Sequence, residues 1–322
     1  MYNICPNAND SAITAMLMFP RRRVLYHDMC NSLWSTVETC SVCIAVLTVV
    51  KSCVPTLTHV IQSQGGTSVY AVTSLDDDVF VMRHDSQYVE VYDAKTFTIQ
   101  RHIRVAGLGP YTIGMTVCAR HMCLYLSNRD NARVHRVKLS GNNAAKKWSV
   151  AKGPRGLSVT VAHNLVVACR DANKIQEYTT HGSLVREICL QSGVTDPCHA
   201  IQLSTGDYVV SHHGLPAVVS VVGVDGQVIH SYGQSETSDV GQIKCSASLA
   251  VTKNEDILVA DEWSNRILSI NISTRCVQEM ALSVDGGIRC PRGLCMDESR
   301  CRLYIGELGG QYRVLVFNGV RL

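Results

Sequence analysis

The chain has 322 residues, of which 46% are hydrophobic and 18% are charged, and this composition is typical of a soluble globular protein with a large core. Its formal net charge of +3 is too small to indicate nucleic-acid binding by itself. The 15 cysteines exclude a secreted disulfide scaffold, which would be short and would hold an even number of them. We therefore expect buried free thiols and a reducing, cytoplasmic environment.

Residues 1–55 do not share the pattern of the rest of the chain, and they are predicted to be an atypical leader that is disordered or separate from the main domain. Their longest uncharged stretch, residues 39–50, has 12 residues, whereas a membrane span needs about 20. No contact with a membrane is therefore expected. An H-x-x-C pair at residues 27–30 and a C-x-x-C pair at residues 40–43 could together hold a zinc ion. A lone C-x-x-C pair is a weak signal, so the interpretation as an unrelated leader is preferred.

From residue 79 onward the chain contains six similar segments, each with an apolar run, a polar turn and a second apolar run. They begin 41 to 49 residues apart, and self-similarity at such a period is typical of a repeat protein. The segments are 79–93, 124–138, 165–179, 208–222, 257–271 and 303–317.

Each repeat is predicted to form four antiparallel strands. The first strand begins at or near Pro110, Pro154, Pro197 or Pro291, because proline cannot donate to a sheet ladder and suits a strand's first residue. No helical segment separates the repeats, so the predicted fold is all-β, a six-bladed β-propeller. The sixth repeat shows three strands. Residues 56–63 are predicted to supply the fourth and to close the ring, since an open ring would leave an unpaired edge.

The pattern P-x-G-L, then I-L-V-A-D, then N-R-I-L resembles the NHL repeat, which builds six-bladed propellers. Residues 241–270 match it best and residues 291–317 match well, whereas residues 208–222 match poorly because H-H-G-L-P-A replaces the usual loop. The resemblance spans residues 56–322. NHL propellers often end tripartite-motif proteins, but no RING, B-box or coiled coil is visible in this sequence.

The resemblance implies a monomeric, non-catalytic scaffold without cofactor or metal. It would recognise protein partners, as the substrate-recognition end of a tripartite-motif ubiquitin ligase does. A second interpretation is RNA binding, known for some relatives, and a third is a metal-dependent propeller enzyme of the lyase or lactonase type. His84, His199 and His212 could converge on a metal in the third case, but no repeated histidine pair supports a three-ligand site. We therefore predict that the protein is not an enzyme.

In the family pattern an acidic residue ends the second strand and a basic residue begins the third. Asp261 and Arg266 hold these two positions. A carboxylate facing a guanidinium across a tight hairpin forms a charge-assisted hydrogen bond, whereas a catalytic site would need a further titratable partner on the same loop. The pair is therefore predicted to be a structural clasp.

One face of the propeller is predicted to bind the partner, namely the face formed by the loops between second and third strands and by the links between blades. It is predicted to be basic, which suits acidic peptides, phosphates or stacked bases. The residues predicted to form this binding face are Arg83, His84, Tyr111, Arg129, Arg155, Arg170, His199, His212, His213, Trp263, Arg292 and Glu307.

Overall fold

The computed structural model describes residues 54–62, 65–109, 111–140, 145–213, 218–233 and 242–320. The predictions for the leader, disorder and a zinc motif, fall at residues 1–53, outside this part of the chain. Within the described residues the chain forms 24 β-strands, and no helix there is long and apolar enough to cross a membrane.

The strands form six antiparallel sheets of four strands each, and these are the predicted six blades of an all-β propeller. The strands of the first three blades are β2 (Val69–Leu75), β3 (Asp78–Arg83), β4 (Tyr88–Asp93), β5 (Ile99–Arg104), β6 (Thr112–Cys118), β7 (Cys123–Asn128), β8 (Arg133–Lys138), β9 (Ala145–Ser149), β10 (Pro154–Val159), β11 (Leu165–Cys169), β12 (Lys174–Tyr178) and β13 (Leu184–Cys189). Those of the last three are β14 (Pro197–Gln202), β15 (Tyr208–His212), β16 (Val218–Val222), β17 (Val228–Tyr232), β18 (Ser246–Val251), β19 (Ile257–Asp261), β20 (Arg266–Asn271), β21 (Cys276–Glu279), β22 (Pro291–Asp297), β23 (Arg302–Glu307), β24 (Val314–Asn318) and, from the start of the chain, β1 (Thr56–Ile61).

The second strand of a blade is apolar throughout because both of its faces are covered. In β19, Ile257 and Val259 pack against the fourth blade, while Leu258 and Ala260 pack against the sixth. Strands buried on both sides read as continuous apolar runs rather than as alternating ones. The core therefore lies between the blades, in the clusters that join each blade to the next.

Closure of the ring follows the prediction made for residues 56–63. Strand β1 pairs antiparallel with β24, with Thr56 opposite Asn318 and Ile61 opposite Val314. The first strand of the propeller thus completes its last blade, and β24 has a hydrogen-bonded neighbour on each side.

The innermost strands of adjacent blades approach closely, and this contact gives a first testable result. We expect Gly156→Ala to lower the free energy of unfolding by roughly 1–3 kcal/mol. A Cβ at Gly156 would lie 2.6 Å from the carbonyl oxygen of Cys198 and 2.7 Å from the Cα of His199, so relief would require β14 to move. Gly193 is the control, because its Cβ would meet no atom within 4 Å. Urea titrations that gave both alanine variants the same loss would contradict this account.

Candidate functional site

The central channel opens on one face of the propeller, which we call the mouth face. Since strand direction alternates within each blade, the loops between second and third strands and the links between blades emerge together on this face. All six innermost strands carry a register shift at their first residues, and a bulge of this kind re-aims side chains. The residues at the shift line the channel, whose cavity measures about 270 Å³. They are Tyr70, Ile113, Arg155, Cys198, Ala247 and Arg292.

Most arginines of the mouth face are paired with carboxylates. Arg129 lies 3.1 Å from Asp171, Arg170 lies 3.3 Å from Asp196, and Arg292 lies 3.0 Å from Glu262. All three pairs join neighbouring blades, and their partners are 42, 26 and 30 residues apart in the sequence. Carboxylates therefore offset three of the arginines that led to the prediction of a basic face, and the sequence by itself does not show these partners.

Three residues predicted for the binding face are instead buried inside the blades. Arg83, His212 and Glu307 are 5%, 1% and 0% exposed. Each is the last residue of the second strand of its blade, as Asp261 is. We call this repeat position the clasp position. Its side chain turns toward the adjacent hairpin strand, and none of these three residues lines the channel cavity.

The clasp position holds three ion pairs. Arg266 Nε lies 3.2 Å from Asp261 Oδ2, Arg313 Nε lies 2.8 Å from Glu307 Oε2, and Arg83 Nε lies 2.8 Å from a carboxylate oxygen of Glu90. Sequence analysis named the first pair and missed the other two. The signal was present, since Glu307 occupies the same repeat position as Asp261. The remaining clasp positions are held by Asn128, Cys169 and His212.

Two thiols and an imidazole lie near the channel mouth without forming a reactive pair. Cys245 Sγ is 3.3 Å from His213 Nε2, and Cys198 Sγ is 3.2 Å from Arg155 Nη1. Burial, with a smaller contribution from Glu262, raises the pKa of Cys245 to about 12. Burial and the charge of Arg155 lower the pKa of His213 to about 4. A neutral thiol beside a weakly basic imidazole is not an activated nucleophile at neutral pH.

The three histidines considered as metal ligands are engaged separately. His199 Nε2 lies 3.0 Å from the Leu157 carbonyl, and its Nδ1 accepts the backbone N–H of Leu249 at 3.0 Å. His212 contacts Ser220 at 3.1 Å, and His84 packs against Tyr70. Among the residues that the structure describes, no group of three His, Cys, Asp or Glu side chains could hold a metal ion.

Buried histidines should make the protein sensitive to acid. Burial lowers the pKa values of His199 and His212 to about 4, whereas an unfolded imidazole titrates near pH 6.5, at about its reference value. Between these values the unfolded chain binds more protons, so stability is full above about pH 6.5 and is lost as the pH falls toward 4. We expect a loss of roughly 2 kcal/mol per histidine at pH 5 relative to pH 7.5.

Urea unfolding at pH 7.5 and at pH 5 measures this loss. His212→Gln should reduce the difference in unfolding free energy between the two pH values by roughly 2 kcal/mol, which is the contribution of one histidine. His102→Gln serves as the control, because His102 is exposed on β5. A His212 variant with an unchanged pH response would contradict the assignment.

Two aromatic side chains of the mouth face are exposed to solvent. Trp263 is 67% exposed and lies in a 3₁₀ turn, Glu262–Ser264, between β19 and β20. Tyr111, which precedes β6, is 49% exposed. Of the other residues predicted for this face, His84 is exposed, Arg129, Arg170, His213 and Arg292 are half-buried, and Arg155 and His199 are buried.

No protein-family model matches the chain, and no curated protein sequence matches it. Solved structures do match. The streptogramin B lyase structure aligns with a TM-score of 0.60 at 12% identity, over 81% of this chain and 96% of that chain. Virginiamycin B lyase from Staphylococcus aureus aligns with a TM-score of 0.60 at 11% identity, over 81% and 98% of the two chains. The chain is a six-bladed β-propeller.

A structural genomics protein of unknown function from Bacteroides thetaiotaomicron also matches the propeller, with a TM-score of 0.62 at 10% identity over 78% of this chain and 69% of that chain. At identities this low the likeness shows the fold and nothing about the reaction or the partner. The function of this propeller has to be argued from its own mouth face.

Proposed function

We propose that this propeller is a non-catalytic module that recognises a protein partner on its mouth face. The exposed side chains of Trp263 and Tyr111 carry the proposal. Large aromatic residues dominate the binding energy of protein interfaces, and tryptophan and tyrosine are enriched among interface hot spots. The three ion pairs of the same face, Arg129–Asp171, Arg170–Asp196 and Arg292–Glu262, are polar groups of the kind found in the rim of an interface.

The NHL-like repeat pattern supports a more specific version of this proposal. In that version the partner is a substrate delivered for ubiquitination, and the propeller acts in the cytoplasm as the recognition part of a ligase. The support is the match of residues 241–270 and 291–317 to the repeat. Ligase chemistry itself would have to come from another protein or from another segment.

RNA binding is the second candidate, and the paired arginines make it the weaker one. Binding to a phosphate backbone requires cations that can replace released counterions. On the mouth face, Arg129, Arg170 and Arg292 already face carboxylates. An RNA strand would have to displace Asp171, Asp196 and Glu262 or bind beside them, so the electrostatic gain would be small.

The lyase interpretation gains only a likeness of fold from the solved structures, which are 11% and 12% identical to this chain. In this chain His199 and Cys245 make their contacts within the protein, and burial lowers the pKa of His199 and raises that of Cys245. Neither residue is poised as a general base or nucleophile at neutral pH. The geometry therefore favours binding over catalysis.

Affinity capture with matched variants tests the proposal. We expect partners captured by the parent protein to survive RNase treatment and to bind Trp263→Ala at least tenfold more weakly, since a hot-spot truncation costs about 2 kcal/mol or more. Val161→Ala is the control, because Val161 is 79% exposed in the loop between β10 and β11, on the opposite face. Partners that vanish with RNase, or that bind both variants equally, would refute a protein-binding mouth face.

A further inference from the structure

The arginines around the channel mouth are not all paired with carboxylates. Four arginines are grouped there, since the positive charges of Arg129, Arg170 and Arg292 all act on Arg155. Three of the four have a carboxylate within 4.0 Å, on Asp171, Asp196 and Glu262. Arg155 is the one of these four arginines without such a carboxylate.

Arg155 is also the most deeply buried of these arginines, with 8% of its surface exposed. Its guanidinium lies 3.2 Å from the Cys198 thiol, and no carboxylate lies within 4.0 Å of it in the part of the chain that the structure describes. Burial raises the pKa of the Cys198 thiol, so the sulfur is uncharged at neutral pH and does not act as a counter-ion. A buried guanidinium stays protonated, and burying a charge without a partner is costly.

The position of Arg155 makes this charge accessible to a ligand in the channel. Arg155 sits at the register shift of β10 and lines the channel with Ile113 and Ala247, whose side chains carry no charge. Arg292 is the other arginine at these register shifts. It already pairs with Glu262, and its guanidinium lies 5.0 Å from the centre of the Tyr70 ring. Of the four grouped arginines, Arg155 is therefore the one that an entering anion would meet without a carboxylate beside it.

We propose that Arg155 anchors the protein partner by binding the carboxylate of an aspartate or glutamate side chain that enters the channel mouth. This proposal rests on the proposed function, because it names the group of the protein partner that the mouth face recognises. A guanidinium binds a carboxylate through two parallel hydrogen bonds. One carboxylate carries one negative charge and matches the single unpaired guanidinium of this group of arginines, whereas a phosphate monoester carries about 1.5 to 2 negative charges.

Selection of random peptides from a display library on the immobilised chain provides the probe. We expect the selected peptides to share one acidic residue. Changing that residue to its amide should weaken binding roughly 10- to 100-fold, because hydrogen bonds to charged groups are worth that much. Arg155→Gln should weaken binding to the same extent, and the two changes together should weaken it little further, which is the mark of a direct pair. Arg101→Gln, on the outer strand β5, should bind like the parent.

The outcomes separate this anchor from the function on which it rests. Peptides that need Trp263 but carry no acidic residue, or that bind Arg155→Gln normally, would overturn the anchor and leave the binding module standing. Peptides that are indifferent to both Trp263→Ala and Arg155→Gln would overturn both. If Arg155→Gln melts at a much lower temperature, the test is the binding of the amide-substituted peptide to the parent protein. A loss of affinity below about threefold would then overturn the anchor.

Discussion

Asp261→Ala is expected to lower the free energy of unfolding by roughly 3–5 kcal/mol, which is the usual cost of breaking a buried ion pair from one side. The Asp261 carboxylate is fully buried, and it accepts hydrogen bonds from the backbone N–H groups of Lys244 and Cys245 and from Arg266. Alanine would remove all three bonds and would leave the buried N–H of Cys245 and the part-buried N–H of Lys244 without this acceptor. The midpoint of urea unfolding measures the loss, provided that the slope of the transition is unchanged.

The matched control for this variant is Asp171→Ala. Asp171 also pairs with an arginine, Arg129, at 3.1 Å, but the two side chains are 42% and 34% exposed. Surface ion pairs contribute about 0–1 kcal/mol, so this variant should unfold near the parent midpoint. If the two variants lost equal stability, the clasp at Asp261 would be no more than another surface ion pair.

Removal of strand β1 should have the second large effect. A chain that starts at residue 63 lacks the strand that pairs with β24, and it loses the buried Ile61 together with the half-buried Leu57 and Val60. We expect the free energy of unfolding to fall by about 5 kcal/mol or more, from lost apolar burial and ladder hydrogen bonds. The newly exposed edge of β24 should also promote self-association.

A chain that starts at residue 54 is the control, because it keeps all of β1. Light scattering should find it monomeric, and its urea midpoint should lie far above that of the chain that starts at residue 63. Equal midpoints and equal masses for the two chains would show that closure by β1 does not stabilise the ring.

The fold could be predicted because its signals are local and repeated. The segment 257–271 contains an apolar strand, a polar turn and another strand, and the structure has β19 and β20 at these positions. Pro154, Pro197 and Pro291 each begin an innermost strand, as expected for residues without an N–H. The closing strand was predicted from the cost of an open sheet edge and not from a sequence motif.

The electrostatics of the mouth face were harder to predict because they depend on contacts between repeats. Arg129 pairs with Asp171 of the next blade, 42 residues away, and a basic residue counted by itself gives no sign of such a partner. Arg83, His212 and Glu307 are buried and occupy the repeat position for which a structural role was predicted only at Asp261. Comparing each position across all six repeats would have found it.

The clasp position differs chemically from blade to blade, and this has a consequence for how the ring assembles. The six blades share one backbone plan, so a hairpin could in principle dock in the wrong place or be exchanged with another molecule. An inserted strand would then bury Arg83 without Glu90, or Asp261 without Arg266, and each such error leaves a charge in an apolar setting. We expect these mismatches to disfavour non-native pairing of hairpins, because an exchange between blades with different clasps would leave a buried charge unpaired.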